Sequence, residues 1–265
     1  FVEGLRSDSL YFMGLRSAQL VSIAFVIVGM IGTLGFFRKM FPPKKPIILF
    51  DFDGTVMDTE PAIIKSYEVL YERYGKSDIL TPEFKKTLMG PPLKEVFAMH
   101  FDEDKIDDLV LEYRQINLEL HNTHVKPFDG VREVLTNLKN DGYRCGIVSS
   151  KHSDSIEFAL NMYDMQDLFE VVIGLNHTTH HKPHKEPLEK GCKAMNVGHD
   201  SLIYVGDTLM DVQAATSIGA FSVVYGTNEE RLETIKVAKP NKIIRSWDEF
   251  YAILQEDVEW TRSTI

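Results

Sequence analysis

The chain has 265 residues, 44% of them hydrophobic, and a formal net charge of -10 at pH 7. That length and apolar content suit one α/β domain with a sizeable insertion, or two small domains. Residues 1–41 carry four basic and two acidic side chains, a net of +2 that leaves -12 for the remainder; such a surface argues against a nucleic-acid partner, because a phosphate backbone needs a basic footprint. An anionic ligand, if one binds, would have to be drawn in by a bound cation and a few local lysines rather than by the global field.

Ala18 to Phe37 contains no charged residue and is long enough to span a bilayer core. Arg38, Lys39, Lys44 and Lys45 follow it, so the positive-inside bias predicts a membrane anchor with the remainder of the chain in the cytoplasm. A processed or extraneous extension and a buried core helix are the alternatives. Phe41–Pro46 reads as a stiff, charged linker. Ile47–Phe50 is a buried strand, closed by Asp51-Phe52-Asp53-Gly54-Thr55. Thr59 is placed as an N-cap with Pro61 in the first turn, and an apolar stripe from Ile63 to Tyr74 predicts a helix ended by Gly75. Further helical patterns cover 82–88, 92–101 and 104–121, so residues 60–126 form a helical insertion.

Alternation then resumes. Val131 to Leu138 form a helix stripe, and strands are predicted near 144–149, 171–173, 202–206, 221–224 and 242–244, with helices between. Such alternation implies a parallel sheet with helices on both faces. Ser246-Trp247-Asp248-Glu249 is a capping box that opens a final helix. Cys145 and Cys192 make no disulfide framework and read as buried free thiols.

Two strand–carboxylate units carry the chemistry: Asp51 and Asp53 after the first strand, and Asp207 and Asp211 in Gly206-Asp207-Thr208-Leu209-Met210-Asp211 after Leu202–Val205. Open α/β sheets place their chemistry at such strand ends. A carboxylate can attack phosphorus while a neighbouring carboxyl shuttles the proton. Hard oxygen ligands in octahedral geometry suit Mg²⁺. The bland alternatives are turn aspartates for the first pair and simple N-capping for Asp211.

Together with Ile147-Val148-Ser149 and Lys182-Pro183, in this order, these motifs resemble the haloacid dehalogenase-like (HAD) superfamily of aspartate-nucleophile phosphohydrolases, over about residues 46 to 253. The resemblance implies a Rossmann-like core (46–59 and 127–255) with an inserted helical cap domain (60–126), leaving 1–45 as an N-terminal extension. It implies Asp51 as nucleophile and metal ligand, and Asp53 as general acid/base with a metal-binding carbonyl. Asp207 becomes a direct Mg²⁺ ligand and Asp211 a weaker or water-mediated one. Ser149 and Lys182 become ligands of the transferring phosphoryl group. Lys185 stands where the family commonly has a second Pro, and is the rival of Lys182. Gly90-Pro91-Pro92-Leu93 and Ser149-Ser150-Lys151 resemble the phosphoglycolate phosphatase-like branch, although an ordinary helix–helix connection fits the former equally well.

The implied function is a Mg²⁺-dependent phosphomonoester hydrolase acting on a small phosphorylated metabolite through an aspartyl phosphate. A sugar phosphomutase and a pyrophosphatase- or 5′-nucleotidase-like activity are the enzymatic alternatives; Thr55 leans towards the hydrolase. A non-enzymatic, membrane-tethered module would need broken motifs, and all four are present. His177, His180, His181 and His184 crowd one loop, which reads as solvated and mobile rather than as a transition-metal site.

Overall fold

The computed structural model describes residues 11–12, 15–16, 21–30, 45–89, 91–199 and 201–256. The chain divides into two compact units, Phe1–Lys45 and Pro46–Ile265. In the first, β1 (Tyr11–Phe12) pairs antiparallel with β2 (Leu15–Arg16), and residues 21–30 form a helix, α1, whose ten residues are all exposed. Among the described residues no helix is long and apolar enough to cross a membrane. Of the predicted anchor over 18–37 only residues 21–30 are described; its other residues, the linker before Lys45, and Gly90 lie outside the described residues.

In the second unit the buried run Ile47–Phe50 forms β3. Met57–Asp58 (β4) leads into a helical insertion: α2 (Glu60–Arg73), α3 (Pro82–Lys85), α4 (Leu93–Ala98) and α5 (Ile106–His124). Lys126–Pro127 (β5) leaves the insertion and pairs antiparallel with β4, so the two crossings lie side by side. Thr59 holds the N-cap position of α2 without a capping bond. Its φ of -105° and ψ of -8° are already helical, whereas a capping side chain needs the extended region.

The chain continues through α6 (Val131–Asn140), β6 (Arg144–Val148), α7 (Ser153–Met162), β7 (Val172–Ile173), α8 (Glu186–Ala194), β8 (Leu202–Gly206), α9 (Leu209–Ser217), β9 (Phe221–Tyr225), α10 (Glu229–Lys236), β10 (Lys242–Ile244) and α11 (Trp247–Gln255). Six strands make one parallel sheet in the order β10-β9-β8-β3-β6-β7. At α11, Ser246 Oγ accepts the Glu249 N–H, but Glu249 Oε2 accepts from Arg245 N–H, so the box closes one residue early.

Strand pleat explains why β3 is apolar on both sides. Ile48 and Phe50 enter a core with Val134, Leu138, Ile156, Trp247 and Phe250, and Ile47 and Leu49 enter an opposite one with Leu188, Cys192, Tyr204 and Ala214. The insertion has its own core around Tyr67, Leu70, Tyr71, Phe97, Leu109 and Tyr113. Both cysteines are buried free thiols. The chain builds outward from β3 first through β6 and β7 and then through β8, β9 and β10, so the sheet changes direction beside β3. Crevices at such reversals are where parallel sheets bind ligands.

Candidate active site

Register brings the four motifs to one edge. Phe50 is level with Ile147 of β6 and Val205 of β8. The residues just beyond these strand ends are Asp51, Ser149 and Asp207, all buried. Asp51 stays in the ladder by donating its N–H to Val205 O at 2.8 Å. The chain must then turn sharply. Gly54 does so with φ +73°, and a Cβ there would stand 2.2 Å from Asp207 Oδ2, so only glycine permits both the turn and the approach of that carboxylate.

Asp211 is fixed by α9. Thr208 Oγ1 accepts the Asp211 N–H at 3.3 Å, and Asp211 Oδ2 accepts the Thr208 N–H at 2.9 Å and the Asp207 N–H at 3.2 Å. Asp211 is therefore a capping residue and a site residue at once, because its Oδ1 points to Lys182 Nζ at 2.6 Å. Lys182 comes from the loop between β7 and α8. Its Nζ also lies 3.0 Å from Asp51 Oδ1 and donates to Tyr204 Oη at 3.1 Å, while Tyr204 Oη donates to Val148 O at 2.8 Å. Lys185 pairs instead with Glu189 at 2.8 Å, half exposed.

Asp53 faces Lys151 Nζ at 3.1 Å. Asp207 meets Arg231 Nη2 at 3.0 Å through Oδ2, and Thr55 Oγ1 donates to its Oδ1 at 3.4 Å. Lys151, Arg231 and Tyr204 escaped the reading of the sequence. Lys151 was visible only as part of a family-like tripeptide, and Arg231 lies on a distant helix with no local pattern to mark it. Tyr204, a polar-tipped residue in an otherwise apolar strand, was the one available signal.

Burial raises the Asp51 pKa to about 6 against the opposing Lys182 charge, with Asp211 adding to the rise and the Ser149 hydroxyl opposing it. Burial likewise raises Asp207 to about 8, opposed by Arg231. Asp211 moves the other way: burial is outweighed by Lys182 and by the Thr208 hydroxyl and amide, and its pKa is lowered. Burial would discharge Lys182, but Asp211 and Asp51 hold its pKa well above the ordinary lysine value.

Asp51, Asp207 and Asp211 each offer an oxygen within 4.8 Å of the others. Asp51 Oδ1 is buried and faces the Lys182 ammonium at 3.0 Å. An all-oxygen set of three buried carboxylates fits a hard divalent cation. A cavity of about 480 Å³ opens over this edge, walled on the insertion side by Ile63, Tyr67, Leu88 and Val110. In the histidine loop, Glu186 accepts the N–H groups of Thr179 and His180 at 3.0 and 2.9 Å and pairs with the His180 ring at 2.8 Å.

A family model described as haloacid dehalogenase-like hydrolase matches residues 48–225. The chain is similar to Pyrophosphatase PpaX of Bacillus cereus (strain Q1), at 28% identity over 214 residues, 79% of this chain and 96% of the relative. Among solved structures, a haloacid dehalogenase-like family hydrolase from Streptococcus pneumoniae superposes with a TM-score of 0.71 at 20% identity, covering 80% of this chain and 99% of that one. A HAD-superfamily hydrolase of subfamily IA from Geobacter sulfurreducens gives 0.61 at 23% identity, with 79% and 96% covered; these two likenesses speak for the fold. The matched segment runs from β3 to β9 and carries Asp51, Asp53, Asp207 and Asp211, and the chain belongs to the haloacid dehalogenase-like hydrolase family.

Proposed function

We propose that this hydrolase is a Mg²⁺-dependent phosphomonoesterase acting on a small phosphorylated metabolite through an aspartyl phosphate on Asp51. The observation that carries the proposal is the convergence of Asp51, Asp207 and Asp211 beside Lys182 and Ser149 at one sheet edge. Asp51, Asp207 and Asp211 would hold the cation together with the Asp53 carbonyl. When bound, it neutralises the approach of a carboxylate to a phosphate dianion and polarises the phosphoryl oxygens.

The chain's own groups supply the rest. An Asp51 oxygen attacks phosphorus as the bond to the leaving oxygen breaks, and Asp53 gives that oxygen a proton. Asp53 then takes a proton from water as the water attacks phosphorus, releasing phosphate and restoring the Asp51 carboxylate. Ser149 and Lys182 hold the equatorial oxygens. An arriving phosphate competes for Lys151 and frees an Asp53 oxygen for the leaving group. Residues 60–126 act as a cap over the core (46–59 and 127–255), with the paired β4 and β5 as its hinge; closure excludes water until the ester is bound.

The name of the PpaX relatives supports a second reading, pyrophosphate hydrolysis by the same chemistry. The apolar cavity wall favours an ester carrying an organic group over bare pyrophosphate. Phosphate release from a generic aryl phosphate, lost with EDTA and in Asp51→Asn, tests the proposal; robust turnover by the purified variant overturns it. Isomerisation of a hexose phosphate without phosphate release would favour a mutase.

A further inference from the structure

The three carboxylates that converge, Asp51, Asp207 and Asp211, are neutralised by two cations of unlike character. Lys182 serves Asp51 and Asp211 together, its side chain only 3% exposed and tied to Tyr204 as well. Lys182 has nowhere to go. Arg231 serves Asp207 alone, with its Nη2 3.0 Å from Oδ2. It projects from α10, outside the matched catalytic strands' own loops, and a third of its side chain meets solvent. Its other terminal nitrogen, Nη1, lies 3.9 Å from Glu60 Oε2 at the start of the helical insertion. The neighbouring Glu230 reaches Lys86 of the insertion at 3.4 Å. The N-terminal end of α10 thus touches both a buried carboxylate of the site and the insertion.

We infer that Arg231 and a divalent cation are alternative partners of Asp207: the guanidinium holds the carboxylate while the cation is away, and cation entry sends it towards Glu60. The inference rests on the cation-dependent reading above. The physical reason is like-charge repulsion. A guanidinium 3.0 Å from a carboxylate oxygen and a divalent ion bound to that same carboxylate would stand within a few ångströms of each other in a buried setting, where their repulsion is poorly screened. One must yield, and Arg231 alone of the two cations has solvent and a second carboxylate within reach. Arg231 thereby lowers the affinity of the site for the cation, and couples cation occupancy to the edge of the insertion.

Mg²⁺ titration of the full 265-residue chain by calorimetry, with thermal unfolding with and without Mg²⁺, tests this without any turnover. Arg231→Gln is expected to bind Mg²⁺ roughly fivefold or more tightly, the size of an ordinary coupling between competing ligands. It is also expected to unfold at a lower temperature in EDTA and to gain more from Mg²⁺ than wild type. Arg231→Lys should fall between the two, and Glu60→Gln should weaken Mg²⁺ binding. Unchanged or weaker binding by both Arg231 variants overturns the inference. If Asp207→Asn abolishes binding while the Arg231 variants leave it unmoved, this inference falls and the cation-dependent reading stands. If wild type binds no Mg²⁺ at all, both fall.

Discussion

Lys182 and Asp211 meet at 2.6 Å in a setting where both side chains are almost wholly buried. A buried pair of this kind is costly to break from one side, because the survivor keeps its charge without compensation. Lys182→Met leaves Asp51 and Asp211 together, unneutralised. It is expected to lose about 3–5 kcal/mol of stability by denaturant unfolding and about 10²–10³-fold in kcat, the usual loss when a fixed charge at a transferring group is removed. Lys185→Met, at an exposed pair, should change neither beyond about 0.5 kcal/mol.

The site's protons give a pH signature. Asp51 at about 6 and Asp207 at about 8 lie above the 3.8 of an unperturbed aspartate, so the folded state binds more protons than the unfolded one across that interval. Stability from these two groups therefore falls as pH rises from about 4 to about 8. Lowered Asp211 works in the opposite sense, but only at more acid pH, below the unperturbed value. A divalent cation takes the ionised carboxylates and reverses the loss. The rise in melting temperature produced by Mg²⁺ over EDTA should thus grow steadily between about pH 5.5 and 8.5. A constant difference would show that the buried carboxylates do not bind the ion.

Gly54→Ala places a methyl group against the Asp207 carboxylate at a backbone φ of +73°. The left-handed conformation alone costs about 1–2 kcal/mol for an alanine, and Asp207 must move. Loss of most Mg²⁺ affinity with a folded circular-dichroism spectrum is the expected outcome. Gly75→Ala shares the positive φ but meets nothing within 4 Å, so it separates the two effects: a similar loss of stability with Mg²⁺ binding intact.

Thr208→Ala removes the cap that orients α9 and one of the donors to Asp211. A lost N-cap costs about 1 kcal/mol. Because the same hydroxyl helps hold Asp211 ionised, Mg²⁺ affinity should also fall, and Thr208→Ser should restore both.

The strands that position the site were legible because each is short, apolar and followed by a turn signal. Ile47–Phe50 and Leu202–Gly206 stand where the hydrophobic runs place them. Helix existence in the insertion was equally visible from the stripe through Tyr67, Leu70 and Tyr71. What the pattern could not show were relations between distant segments. The β4–β5 pair has two residues on each side, one of them Pro127, too short for any periodicity. Arg231 reaches Asp207 only because β9 carries α10 past the end of β8, a fact of sheet order rather than of local sequence. Thr59 shows the limit of capping rules: the residue type is right, but the backbone has already entered the helix. The histidine loop shows another, since Glu186, whose backbone lies in the next helix, supplies the anchor that spacing among the histidines did not reveal.

The proposed division of labour between Asp51 and Asp53 has one direct test. An aryl phosphate with an acidic phenol as leaving group needs little proton donation, so Asp53→Asn should still transfer phosphate to Asp51 but fail to activate water afterwards. With Mg²⁺ and p-nitrophenyl phosphate, rapid mixing should show a burst of about one nitrophenolate per chain followed by near arrest. Borohydride reduction of the arrested protein should convert Asp51 to homoserine. Steady turnover without a burst would contradict the water-activating role of Asp53, and an arrested protein with Asp51 unmodified would contradict the nucleophilic role of Asp51.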